Sequence, residues 1–101
     1  MNPKFEVKDT PKEQFDFAME AFEGKQYKEA IREFKKLLKS YPRSVEAPDA
    51  QFYVAKVFEI EADLMGAFKE YQKVVERYPF SERSGEVVQQ QYDIALKMLE
   101  G

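Results

Sequence analysis

Apolar residues recur along this chain at intervals of three and four, which is the mark of amphipathic helices. Phe17, Ala18, Ala21 and Phe22 make a first stripe, and Tyr27, Ala30, Ile31, Phe34, Leu37 and Leu38 make a second with the 3.6-residue period. No segment carries a strand signal. The punctuation fits this reading. Thr10-Pro11-Lys12-Glu13 supplies an N-cap, a proline at the first helical position and a capping-box Glu, so a helix starts there. Gly24 suits the left-handed position after its end. Pro42 stops the second helix, because proline cannot continue the ladder and disfavours helical geometry in the residue before it. Three more helices are predicted: from a Ser44 cap to about Glu61, from Leu64 to Tyr78 ended by Pro79, and from near Ser81 to Leu99.

These elements repeat. When residues 11–44 are laid on 48–81, a shift of 37, ten of the 34 positions are identical, where chance gives about two. The identities include Gln14/Gln51, Phe15/Phe52, Ala18/Ala55, Ala30/Ala67, Glu33/Glu70, Lys36/Lys73 and the doubled Tyr-Pro-x-Ser at Tyr41–Ser44 and Tyr78–Ser81. The expected organisation is an extended lead-in over 1–9 and one repeat domain over 10–101. Within it, repeats span about 11–44 and 48–81, with an extra helix at about 82–99. The fold class is therefore all-α, a solenoid of antiparallel helix pairs with about five helices. Gly66 inside the fourth helix lowers helical stability by up to ~1 kcal/mol relative to Ala.

Composition narrows the chemistry. The chain has 101 residues, 44% hydrophobic and 35% charged, enough apolar material for one core and enough charge to cover it. It has neither Cys nor His. Disulfides, thiolate chemistry, Ser-His or Cys-His catalysis and His-zinc sites are excluded together. The remaining carboxylates are scattered over helix surfaces, so no catalytic pair is expected and the chain reads as a non-enzyme without a cofactor or metal. Glu59, Glu61 and Asp63 lack the alternating oxygen ligands and central Gly of a calcium loop and read as a solvated helix end. A net charge of −3 argues against nucleic acid as a partner. No stretch approaches the roughly 18 apolar residues of a spanning helix, and MNPKFEVKDT has no signal-peptide core.

The small residues Ala18, Ala30, Ala55 and Ala67, the aromatics Phe34 and Tyr71, and Pro42 and Pro79 fall where tetratricopeptide units place theirs. The chain resembles that family. It departs from the 34-residue unit by Val45, Glu46 and Ala47, which imply a longer first helix in the second unit. The strings Y-P-R-S-V-E-A-P-D-A-Q-F-Y-V-A and A-F-K-E-Y-Q-K-V-V-E-R-Y-P-F-S look like the BamD-type outer-membrane assembly lipoproteins, whose relatives include an envelope division coordinator. The resemblance covers roughly 10–99. It implies a periplasmic, outer-membrane-associated scaffold whose partners are assembly subunits or unfolded β-barrel precursors. The lipoproteins carry a lipidated N-terminal Cys and further repeats. This chain has neither, so it reads as an excised N-terminal portion or a small relative, with contact to the membrane only through a missing lipid anchor. The alternatives are a periplasmic envelope or division coordinator, and a purely structural oligomerisation module.

In such stacks the first helices line a concave groove. Alignment of the units assigns Phe15, Met19 and Phe22, then Phe52, Lys56 and Glu59, then Gln89, Asp93 and Leu96 to that groove. Phe15 and Phe52 are expected on helices about 10 Å apart, with room for a peptide aromatic between them. A carboxylate clamp for chaperone tails needs Lys and Asn where Phe15 and Met19 stand, and is disfavoured. Phe17, Ala18, Ala21, Phe34, Leu37, Val54, Ala55, Phe58, Tyr71 and Val74 are expected in the core. Lys28, Arg32, Lys35, Lys36 and Lys39 form a basic stripe that could meet an anionic surface, or simply face solvent. The last helix has two apolar stripes, Val88/Tyr92/Ala95/Leu99 and Val87/Ile94/Met98. The second is expected to lack a partner within the chain, which opens self-association through this helix.

Overall fold

The computed structural model describes residues 6–101, so the first five residues of the expected lead-in lie outside the described part. It contains five helices and, among the described residues, no strand: α1 Pro11–Glu23, α2 Tyr27–Ser40, α3 Ala47–Ile60, α4 Leu64–Arg77 and α5 Ser84–Glu100. Each helix packs on its neighbours in sequence, giving an elongated body of 48 × 28 × 18 Å.

The start of α1 follows the capping logic: Thr10 Oγ1 accepts a hydrogen bond from Glu13 N at 3.1 Å, and Pro11 stands in the first turn. Its end differs from expectation. Gly24 has φ −80° and the left-handed residue is Lys25, with φ 60°. The equivalent Ala62 has φ 64°. In both turns the amide of the next residue, Gln26 or Asp63, bonds back to Ala21 O or Phe58 O at 2.8 and 2.9 Å, the long bond of a Schellman ending. The reversal is fixed by this backbone pattern, and neither left-handed site holds the glycine that would fit it best.

Ser44 does not cap α3. Its hydroxyl donates to Tyr41 O at 2.8 Å, and the helix begins three residues later at Ala47. Ser81 and Ser84 build the same kind of turn before α5, which starts at Ser84 instead of 81 or 82. The residues beyond the 34-residue unit therefore lengthen the connector between units. Only Ala47 of the three falls in the helix, as its first residue, so α3 has 14 residues where α1 has 13. Gly66 has a packing reason, since a Cβ there would lie 2.6 Å from Asp63 Oδ2 and 2.8 Å from Phe58 Cδ1. Asp63 caps α4 through the Gly66 amide at 2.9 Å.

Two apolar clusters alternate along the stack, each built from one unit's helix pair and the first helix of the next. Ala18, Ala30, Phe34 and Leu37 meet Ala47, Ala50 and Val54. Phe52, Ala55, Ala67, Tyr71 and Val74 meet Val87 and Ile94. The four alanines are fully buried, as close helix approach requires. Phe17 is not in the core: it is 42% exposed, with Lys8 Nζ 4.4 Å from its ring centre. The two stripes of α5 are also exchanged relative to expectation. Val87 and Ile94 are buried against α4, while Val88, Tyr92 and Leu99 face outward.

A polar device recurs beside the alanines. Gln14 Nε2 donates to Glu33 O at 2.8 Å and to Glu33 Oε1 at 3.0 Å; Gln51 Nε2 donates to Glu70 O and Glu70 Oε1, both at 3.0 Å. Each Glu also holds a lysine one turn on, Lys36 at 3.2 Å and Lys73 at 2.9 Å. Gln14 and Gln51 are buried, and among the described residues no buried side-chain polar atom lacks a partner. The clamp ties first to second helix at the same height in both units, and a lost partner would leave buried polar atoms unsatisfied. The described part of the lead-in joins the first of these clamps: Lys8 N donates to Gln14 Oε1 at 2.9 Å, and Tyr41 Oη donates to Lys8 O at 2.6 Å.

Candidate functional site

On the face shared by α1 and α3, the residues assigned to the groove separate into two kinds. Phe15, Met19 and Phe22 are half-buried, packed against the first cluster and still open to solvent. Phe52 is a core residue with 3% exposure, and this corrects its assignment as a groove anchor. Its ring lies 5.6 Å from Tyr71 and carries the Arg83 guanidinium 4.1 Å from its centre. Arg83 is fixed in turn by Asp49 at 2.8 Å and Glu86 at 3.2 Å. Burial opposes its charge, but the hydrogen bond and attraction of Asp49 outweigh that and hold the guanidinium above its usual pKa.

The expected gap between Phe15 and Phe52 is occupied. Tyr53 stands there, 6.2 Å from Phe15, 5.1 Å from Phe22, 5.4 Å from Phe52, and stacked 5.8 Å from Phe34. Its ring joins the two units into one aromatic surface instead of leaving a slot. Tyr53 was missed because it sits one residue beyond the aligned groove position and matches Asp16 in the first unit.

Past Tyr53 the surface becomes polar. Glu59 accepts from Tyr71 Oη at 2.7 Å and lies 3.8 Å from Lys56, so both groove residues are partly engaged. Burial first, and then the bond to Glu59, pushes the Tyr71 phenol well above its usual pKa and keeps it neutral. On α5, Gln89 donates to Asp93 Oδ1 at 3.1 Å, and Leu96 is 43% exposed. The strip thus runs from Phe22 and Met19 through Phe15 and Tyr53 to a mixed-charge end.

The basic stripe on α2 is not uniform. Arg32 pairs with Glu29, and Lys36 is drawn into the Glu33 clamp and under Glu6 O at 3.3 Å. Lys28, Lys35 and Lys39 are exposed and carry no ion pair among the described residues. Among the described residues no helix is long and apolar enough to cross a membrane, and no cluster of acidic residues is placed to hold a metal.

Paired helices in register, small residues at their crossings and a first-helix face of half-buried aromatic and polar side chains define a helical-repeat interaction module. The family follows: the tetratricopeptide-repeat model matches residues 18–44 and 49–81, and the chain belongs to that family. Such repeats generally mediate protein–protein interaction and form a non-enzymatic fold. No curated protein matches the chain.

Proposed function

We propose that this chain is an adaptor that takes polypeptide segments bearing one or two aromatic anchors along the α1–α3 face, as a periplasmic, outer-membrane-associated assembly module. The observation that carries this reading is the half-exposed Phe15–Met19–Phe22–Tyr53 surface, continuous across two units. Aromatic and thioether side chains held by a rigid scaffold are the usual anchors of an interface. Lys56, Glu59, Gln89 and Asp93 would orient the remainder of the segment through polar contacts. The envelope setting and the choice of β-barrel precursors or assembly subunits as partners rest on the doubled Tyr-Pro-x-Ser and the strings around it. Fluorescence anisotropy with a labelled outer-membrane β-strand peptide ending in an aromatic tests the reading. Met19→Glu and Phe22→Ala are expected to weaken binding by about tenfold or more. Equal affinity in those variants, or equal binding of a peptide without aromatics, would contradict it.

A further inference from the structure

The outward stripe of α5 forms a second surface, independent of the α1–α3 face. Val88, Tyr92 and Leu99 are 57%, 62% and 84% exposed. Ala95 sits at the floor of an apolar groove of about 420 Å³ between α4 and α5, walled by Met65, Phe68, Met98 and Leu99.

In the 37-residue register Val88 corresponds to Gln14 and Gln51, and Tyr92 to Ala18 and Ala55. Those are the residues that clamp and admit the second helix of each unit. Here the clamp is replaced by an aliphatic side chain and the close approach by a bulky ring. The face is therefore shaped for something other than a second helix of this repeat.

It is self-complementary instead. The stripe steps by 4, 3 and 4 residues, the heptad spacing, and reads the same in either direction. We propose that it is covered by a second copy of this chain, with the two α5 helices antiparallel about a two-fold axis passing between Asp93 and Ile94. Val88 of one copy then faces Leu99 of the other. Tyr92 faces Ala95 and enters the groove that Ala95 floors, so the largest side chain of the stripe meets the smallest. A parallel pair would set Tyr92 on Tyr92 and Ala95 on Ala95, combining a clash with a void. No Asp, Glu, Lys or Arg lies in the stripe to oppose the contact, and an isologous pair closes on itself.

Sedimentation equilibrium of the full chain, from low-micromolar to millimolar concentration, reads the association directly. The mass is expected to rise from 11.9 kDa toward twice that value. Tyr92→Glu should remain monomeric with unchanged helicity by circular dichroism, because Tyr92 contributes little to the intramolecular core. Val88→Glu and Leu99→Lys should each be monomeric alone and form a mixed dimer together, since only the antiparallel register sets position 88 against position 99. A wild-type chain that stays monomeric throughout would overturn the proposal. So would a dimer indifferent to Tyr92→Glu, or a failure of the two charged variants to pair.

Discussion

The first and second units share a frame and differ in what they show to solvent. Both carry the Gln–Glu–Lys clamp, with Gln and Glu 19 residues apart, and both bury their two alanines. Yet Phe15 stays half-open while the equivalent Phe52 is closed. The cause is local: Arg83 lies across Phe52, and the residue 37 positions before Arg83 is Glu46, which cannot supply the cation–π contact. A repeat thus keeps the residues that join its helices, while one residue in the following connector decides whether an aromatic serves the core or the surface.

The largest effect expected from this contrast is on stability. Phe52→Ala should cost ~3–4 kcal/mol and Phe15→Ala only ~1–2 kcal/mol in urea unfolding, because the deleted ring is enclosed in one case and half-solvated in the other. Equal costs would break the comparison. The shared frame should respond symmetrically. Gln14→Ala and Gln51→Ala leave Glu33, which is buried, and Glu70, which is half-buried, each short of a donor and should cost ~1–3 kcal/mol, close to one another. A much smaller loss in one unit would show that its clamp is redundant. The smallest effects come from the turns. Lys25→Gly and Ala62→Gly relieve a left-handed residue and should each raise stability by ~0.5–1 kcal/mol, read as a higher urea midpoint at unchanged slope.

The helix pairs were legible because their signals are local and doubled. Thr10-Pro11, Pro42 and Pro79 mark boundaries, and alanines at a fixed shift mark crossings. The clamps were visible only as unexplained identities: Gln14/Gln51, Glu33/Glu70 and Lys36/Lys73 recur, but nothing in a linear pattern says that residues 19 apart share a hydrogen bond. Helix starts after the Tyr-Pro-x-Ser turns were misplaced because the Ser44 hydroxyl could either accept from the amides of a following helix or donate to the preceding Tyr41 carbonyl, and the turn won. The aromatic surface was half legible. Phe15, Met19 and Phe22 follow from alignment of the units. The burial of Phe52 depends on Arg83, 31 residues away in sequence, and the filling of the gap depends on Tyr53, for which the first unit offers no aromatic counterpart. The two stripes of α5 could not be told apart by periodicity, since both are apolar and only the packing on α4 chooses between them.

The central claim is that the α1–α3 face receives protein segments. The most direct measurement is an NMR titration of the isotopically labelled chain with an aromatic-ended β-strand peptide. Shift changes are expected to concentrate at Phe15, Met19, Phe22 and Tyr53 and to extend to Lys56 and Glu59, leaving Lys28, Lys35 and Lys39 on α2 unmoved. Changes confined to α2 or to the outer stripe of α5, or none at saturating peptide, would contradict the account.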